Sequence, residues 1–284
     1  IKCKNCDFNL VYHKNKNKLI CHYCGLAYKK NSDCESCKSK NSIIEVGLGV
    51  EKVAEEVKIQ FKNSKILILS SDTLNNKNIT NTIRKIEENK IDIIIGTQII
   101  SKGFDFSFLE KVFILDFDMW FQNSDIRTSE RVFNLTQQVL GRAGRREKSG
   151  QVFIQTYNEE NKILQYIVNN KRNSFYLKEL ELRKYSSLPP FSKIASILFS
   201  GKNMISLQKV AENYGKKLKE IKGIEVYGPI KAPIKFLNNN YRYRITLKAK
   251  GPFIIQRHLK KLNLISCRNS FVRITLDIDP YSFF

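Results

Sequence analysis

Long apolar runs are missing from this 284-residue sequence. No stretch approaches the roughly 18 residues that a membrane-spanning helix requires, and the opening Ile-Lys-Cys-Lys-Asn-Cys resembles no secretory leader. A soluble cytoplasmic protein with no membrane partner is therefore expected. A start methionine is also missing, which predicts a piece cut from a longer chain. Acidic residues are scarce, 27 against 49 basic, and the net charge of +22 favours a polyanionic partner such as nucleic acid. The basic residues are mostly Lys, 36 to 13 Arg, and with abundant Asn and Ile this is also the composition of an A+T-rich genome, so charge alone does not fix the function. Finally, there is no Gly-x4-Gly-Lys-Ser/Thr loop and no acidic metal-binding motif following one. Without a phosphate-loop lysine and Mg²⁺ ligands, these residues cannot hydrolyse ATP unaided.

What is present begins with cysteine. Six of the seven cysteines fall into three Cys-x2-Cys pairs: Cys3 with Cys6, Cys21 with Cys24 and Cys34 with Cys37. Two thiolates two residues apart can chelate one tetrahedral zinc from a tight turn, and two such turns complete a four-cysteine site. Disulfides are disfavoured because nothing points to secretion. Three pairs cannot complete two sites. Either His13 and His22 substitute as ligands, or a fourth pair lies upstream of Ile1. The Lys- and Asn-rich surroundings of these turns, Lys14 to Lys18 and Lys29 to Lys40, can face nucleic acid or solvent.

From Ile43 the pattern turns α/β. Strands are predicted at Ile43 to Val46, Lys65 to Ser70, Ile91 to Ile95, Val112 to Leu115 and Val152 to Gln155. Helices are predicted at Val50 to Phe61, from apolar residues at helical spacing, and at Ile79 to Glu88. Short, nearly continuous apolar strands alternating with helices describe a parallel sheet covered on both faces, which binds ligands at the carboxyl ends of its strands. Gly96 to Asp105 and Asp116 to Asp118 fall at such ends. Further on, Gln138-Val-Leu-Gly-Arg142-Ala-Gly-Arg145 sets two arginines three residues apart; if the run is helical, both guanidinium groups lie on one face as a phosphate clamp.

These segments carry a resemblance. Gly96-Thr-Gln-Ile-Ile-Ser-Lys-Gly-Phe-Asp-Phe106, Leu115-Asp-x-Asp118, Asp125-x-Arg-x-x-Glu-Arg131 and Gln138 to Arg145 are similar to the second motor lobe of superfamily-two helicases. Together with the three Cys pairs, the Leu188-Pro-Pro-Phe191 turn, Tyr227-Gly-Pro229 and Leu276-Asp-Ile-Asp-Pro280, they resemble the PriA family of primosomal helicases over nearly the whole chain. The resemblance implies an ATP-dependent 3′ to 5′ DNA helicase that recognises stalled forks and restarts replication by primosome assembly. It implies Arg145 as arginine finger, Arg142 as its phosphate-side companion, and Gln138, Gly103 and Asp105 at ATP with Mg²⁺. Thr97 would contact the DNA backbone. The expected partners are forked and single-stranded DNA, primosome proteins and single-strand-binding protein, in the nucleoid. It further implies a two-zinc module of four Cys pairs, in which Cys3, Cys6, Cys21 and Cys24 form a complete site and Cys34 and Cys37 belong to one whose first pair is missing. Ser107 replaces the usual proline of the loop.

Past Thr156 a helix is predicted over Asn161 to Leu182, and the Pro-Pro pair marks a junction. A small α+β domain follows, with strands at Ile194 to Phe199, Ile224 to Tyr227, Tyr241 to Lys248 and Phe271 to Asp277 and a helix at Ser206 to Ile221. Arg242 and Arg244 alternate with Tyr241 and Tyr243, which puts both arginines on one sheet face, a clamp for single-stranded DNA or an ordinary solvated face. Cys267 reads as a core residue. The expected fold class is thus α/β: a Cys-rich zinc module (1–42) inserted in a RecA-like parallel-sheet lobe (43–158), then a helical linker (159–190) and an α+β domain (191–284). Two other classes fit the same residues: a non-catalytic zinc-ribbon fragment that binds nucleic acid or protein, and a related repair translocase.

Overall fold

The computed structural model describes residues 1–13, 17–34, 36–43, 49–69, 79–97, 106, 108–122, 125–143, 150–261 and 272–283. The chain divides into two compact units, one made of Ile1–Ile44 with Leu177–Phe284 and the other of Glu45–Tyr176. Residues expected to form a separate zinc module therefore cluster with the C-terminal domain, more than 130 residues away in sequence.

In the Glu45–Tyr176 unit, α1 (Val50–Gln60) starts after Gly49 with Glu51 in its first turn and Lys58 in its last, both suited to the helix dipole. β4 (Ile66–Leu69) pairs in parallel with β5 (Ile93–Gly96), with α2 (Ile79–Glu87) between them in sequence. β6 (Lys111–Ile114) pairs in parallel with β7 (Gln151–Ile154). The strands expected from sequence are present to within a residue or two. Among the described residues, however, the single expected sheet is two separate two-stranded ladders. The strand at Ile43 to Val46 lies largely outside the described residues. A 3-10 turn (Phe117–Phe121) follows β6, then α3 (Thr128–Leu140).

The predicted helix over 161–182 is two helices, α4 (Lys162–Val168) and α5 (Arg172–Tyr185). Asn161 caps α4 by accepting from the Ile163 and Leu164 N–H groups. The break comes at Asn170, whose φ of 51° is left-handed and which lets the Lys171 N–H close back on the Tyr166 carbonyl. The break turns Phe175 back onto Phe133, ring centroids 4.0 Å apart and nearly parallel. Leu164, Ile167 and Phe175 join Ile114, Phe117, Val132 and Phe133 in one core, where each fully buried aromatic contributes roughly 1.5–3 kcal/mol. Within the stretch expected to act as a linker, Leu164, Ile167 and Phe175 are thus core residues.

In the other unit, β8 (Lys193–Gly201), α6 (Met204–Lys219), β9 (Glu225–Leu237), β10 (Asn240–Ala249), α7 (Ile254–Lys261) and β11 (Arg273–Ile278) form an antiparallel sheet of order β11-β8-β10-β9. This β-α-β-β-α-β order is the split β-α-β, ferredoxin-like arrangement. Alternate residues Ala195, Ile197 and Phe199 of β8 and Tyr243, Ile245 and Leu247 of β10 face Leu207, Ala211 and Leu218 of α6 and Ile255 and Leu259 of α7. Gly215 allows α6 to approach closely, since a Cβ there would lie 2.9 Å from the Pro229 ring. β9 runs ten residues past its predicted end, with register shifts opposite Tyr241–Tyr243 and Arg244–Thr246, and turns into β10 through Asn238 and Asn239. Their φ values of 49° and 58° make this a two-residue type I′ turn, which asparagine tolerates.

The N-terminal residues of this unit form a three-stranded antiparallel ribbon of β1 (Val11–His13), β2 (Lys18–Ile20) and β3 (Ala27–Lys29). Its core is Cys3, Cys6 and Cys21, with Leu237 from β9 packed against it. Among the described residues no helix is long and apolar enough to cross a membrane.

Candidate metal centre and basic groove

Two turns build the metal centre. In the first, the Cys6 N–H donates to the Cys3 carbonyl and the Cys3 N–H to the Phe8 carbonyl; in the second, the Gly25 N–H donates to the Cys21 carbonyl, with Gly25 at a φ of 75°. The thiols of Cys3, Cys6, Cys21 and Cys24 converge within 4.8 Å of one another, the first three buried. Burial raises the Cys3 thiol, but hydrogen bonds from the Tyr28 hydroxyl, the Asn5 N–H and the neighbouring thiols outweigh it and bring it to about 7. Burial pushes Cys6 up to about 12, against the pull of the Asn238 backbone amide. Four sulfurs this close cannot all ionise by themselves. A divalent cation makes them thiolates together, and a compact, half-shielded four-sulfur set is what tetrahedral zinc takes.

The other expected ligands fall elsewhere. Cys34 and Cys37 make their own tight turn, with the Lys38 N–H on the Cys34 carbonyl and Cys37 Sγ 3.1 Å from Ser39 Oγ, but among the described residues they join no four-ligand group. The Ser39 hydroxyl and N–H lower the Cys37 thiol to about 7. His22 Nε2 lies 3.1 Å from His13 Nε2, so the two imidazoles meet each other while four cysteines make up the cluster.

The run Gln138 to Arg145 is not one helix. α3 ends at Leu140; the Gly141 N–H closes on the Gln137 carbonyl, and Arg142 sits in the following turn with its N–H on the Val139 carbonyl. Gly141 itself keeps a right-handed backbone, with φ −68° and ψ −1°, so the helix ends without a left-handed cap. Gln138 is exposed on the last turn of α3, Arg142 is half-buried, and Thr97 is exposed just after β5. Arg145, Gly103, Asp105 and Cys267 lie outside the described residues. The helix start is held by Asp125, whose carboxylate accepts from Arg131 Nη2 at 2.7 Å and from the Arg127 N–H, and whose own N–H donates to Thr128 Oγ1. Asp118 bridges strand ends, accepting from Thr156 Oγ1 and the Tyr157 N–H.

Arg242 and Arg244 share a face of β10 but have different surroundings. Arg244 donates to the Phe283 carbonyl at 2.7 Å with its guanidinium 5.1 Å from the Phe283 ring, tying down the C-terminal residues. Arg242 has no carboxylate partner among the described residues, and burial lowers it from the ordinary arginine value. It lines a cavity of about 210 Å³ with Met204, Lys231, Lys235, Phe236, Tyr241 and Tyr243. Cations interleaved with aromatic rings suit a single-stranded nucleic acid, whose phosphates and bases need both.

Sequence reasoning missed the outer partners of the metal site. Tyr28 Oη lies 3.3 Å from Cys3 Sγ and accepts from the Lys4 N–H. Asp7 bridges Lys2 at 3.0 Å and Lys235 at 3.3 Å. Burial alone would raise its carboxyl, but those two lysines hold it below the ordinary carboxylate range. Phe8 stacks on Tyr23 at 3.6 Å. The Asn-Asn-Asn run at 238–240 was a readable hairpin signal.

A four-cysteine ribbon seated on a split β-α-β domain is the make-up of a zinc-binding protein. Comparison with known proteins narrows the class. Residues 3–29 match the PriA DNA helicase Cys-rich region (CRR) domain, and residues 184–281 match the primosomal protein N C-terminal domain. The chain is 38% identical to the replication restart protein PriA of Rickettsia conorii over 100% of its length and 44% of that relative. It is 37% identical to that of Borreliella burgdorferi over 99% and 43%, and 32% identical to that of Bacillus subtilis over 99% and 35%. The chain is thus similar over its whole length to part of the replication restart protein PriA and spans less than half the length of these relatives.

Proposed function

We propose that the chain is part of an ATP-dependent 3′ to 5′ DNA helicase, cytoplasmic and nucleoid-associated, that recognises stalled forks and restarts replication by assembling a primosome. The observation that carries this reading is the order of parts: a PriA-type Cys-rich region, then the sequence Gln138 to Arg145, whose first residues end α3, then a primosomal C-terminal domain. In this reading residues 43–158 are a RecA-like second motor lobe. Arg145 is the arginine finger and Arg142 its companion on the phosphates of ATP with Mg²⁺ held by another lobe, with Gln138, Gly103 and Asp105 at the nucleotide. Thr97 touches the DNA backbone and Arg242 the strand in the basic groove, while Arg244 braces the C-terminal residues beside it. Cys34 and Cys37 belong to a second zinc site, and single-strand-binding protein and primosome proteins are the partners. The test is DNA-stimulated ATP hydrolysis by the full-length protein. Arg145→Ala is expected to lower the rate by about 10³-fold or more, and near-wild-type turnover in that variant refutes the finger.

The cavity beside Arg242 supports a second reading, in which the chain binds single-stranded nucleic acid without a motor. Anisotropy with labelled oligo-dT separates the two. Arg242→Ala is expected to weaken binding and to reduce the salt slope by about one unit, whatever happens to hydrolysis.

A further inference from the structure

The zinc ribbon and the β9–β10 hairpin meet at the metal site. The hairpin tip reaches the first cysteine turn with backbone and side chains together: the Asp7 N–H donates to the Phe236 carbonyl at 2.9 Å, the Asn239 N–H to the Asn5 carbonyl at 3.2 Å, and Cys6 bridges Leu237. The Asp7 carboxylate takes Lys235. At the centre of the contact the side-chain Oδ1 of Asn238 lies 3.9 Å from Cys6 Sγ, accepting from the thiol. A side-chain amide offers an acceptor on one side and two donors on the other, so a half-turn of its last torsion serves the thiolate that a metal creates. Its left-handed φ of 49° holds it there, at the apex of a tight turn. The same hairpin carries Lys231, Lys235, Phe236, Tyr241, Arg242 and Tyr243, all the groove residues but Met204. Tyr23, between Cys21 and Cys24, lies near enough to Arg242 to act on its charge.

We propose that the tip of the β9–β10 hairpin is the outer shell of the zinc site, with Asn238 as a positioning residue against the Cys6 thiolate. Metal occupancy and the ordering of the basic groove are then one linked equilibrium. This inference rests on the four-cysteine zinc site and needs no helicase activity. Outer partners of metal ligands alter metal affinity by about 10- to 100-fold, and linkage makes the coupling reciprocal: zinc tightens the groove and an occupied groove tightens zinc.

The test uses the whole chain loaded with zinc. Asn238→Gly keeps the left-handed turn and deletes the side chain; Asn239→Gly is the matched control at the other turn position. Lys235→Ala removes the ion pair without touching the turn. Zinc transfer to a chromogenic chelator is expected to be about 10-fold faster in Asn238→Gly than in wild type, faster in Lys235→Ala, and unchanged in Asn239→Gly. Hydrogen exchange is expected to slow on zinc loading in the Phe236 to Tyr241 tip while the β8 amides stay constant. Equal release from all four proteins, or tip exchange indifferent to zinc, overturns the linkage. A chain that takes up no zinc overturns the metal site itself, which is a separate failure.

Discussion

Removing the Asp125 carboxylate should loosen the start of α3, the helix whose far end carries Gln138 and leads into Arg142. The Asp125 side chain is fully enclosed, and it holds Arg131 at 2.7 Å while closing the turn through the Arg127 N–H. Deleting one partner of a buried pair costs about 3–5 kcal/mol. Arg131 keeps a third of its side chain in water, which lets the abandoned cation rehydrate, so the expected loss for Asp125→Ala is about 2–3 kcal/mol. With a urea dependence of about 1.5 kcal/mol per molar for a unit of this size, the midpoint should fall by roughly 1.3–2 M. The assay is built into the sequence. Trp120 is the single tryptophan, and it packs on Phe117 inside the same unit, so its fluorescence follows that unit. A double-mutant cycle with Arg131→Ala isolates the pair. A coupling under about 0.5 kcal/mol, the size of an exposed ion pair, refutes the assignment of this contact as the fastening of α3.

Three further outcomes follow from separate parts of the molecule. Cys21→Ser should abolish the tight zinc of the chain, whereas Cys34→Ser should leave it, as read by metal analysis after dialysis against a weak chelator. Gly228→Ala forces a Cβ to 2.8 Å from the Arg244 carbonyl at a φ of 100°, and should lower stability by about 2 kcal/mol or more in thermal melts followed by circular dichroism; a melt equal to wild type refutes the close approach. Hydrogen bonds from Tyr227 and then Lys248 lower the Glu225 carboxyl from its ordinary 4.5. Since the folded value is the depressed one, that contribution is present above the unfolded value and disappears as pH falls through the folded one. It should be small and salt-sensitive because the Glu225 side chain is exposed, and absent in Glu225→Gln; an NMR titration midpoint for Glu225 at or above 4.5 refutes it.

The spacing of cysteines showed three metal-binding turns, because a Cys-x2-Cys turn is a local structure whose chemistry admits few alternatives, while the choice of Cys3, Cys6, Cys21 and Cys24 as one set came from the family resemblance. Strands β4 to β7 and helices α1 and α6 were legible for a similar reason: each has an apolar pattern of one clear period. The break between α4 and α5 was not, since Asn169 and Asn170 are tolerable inside a helix by propensity, and the left-handed turn goes with tertiary contacts such as the stacking of Phe133 on Phe175. The one-face argument for the arginine run was conditional on a helix, and α3 ends at Leu140, before Arg142. The length of β9 was hidden by Pro229 and Pro233, which weaken a strand signal but are accommodated where the ladder bulges. The docking of the ribbon on the hairpin joins residues 5–7 to residues 235–239, and nothing local in either stretch announces the other.

That long closure bears on how the protein is made. The first cysteine turn leaves the ribosome some 230 residues ahead of the hairpin it fits, a wait of roughly ten to fifty seconds at ordinary rates of synthesis, while the whole Glu45–Tyr176 unit emerges in between. During that interval three-residue strands and a handful of buried side chains are all the ribbon has of its own. Zinc taken up early would give it a fixed shape through the delay, so that the tip of β9–β10, when it finally appears, meets a finished surface and completes a unit begun at the opposite end of the chain.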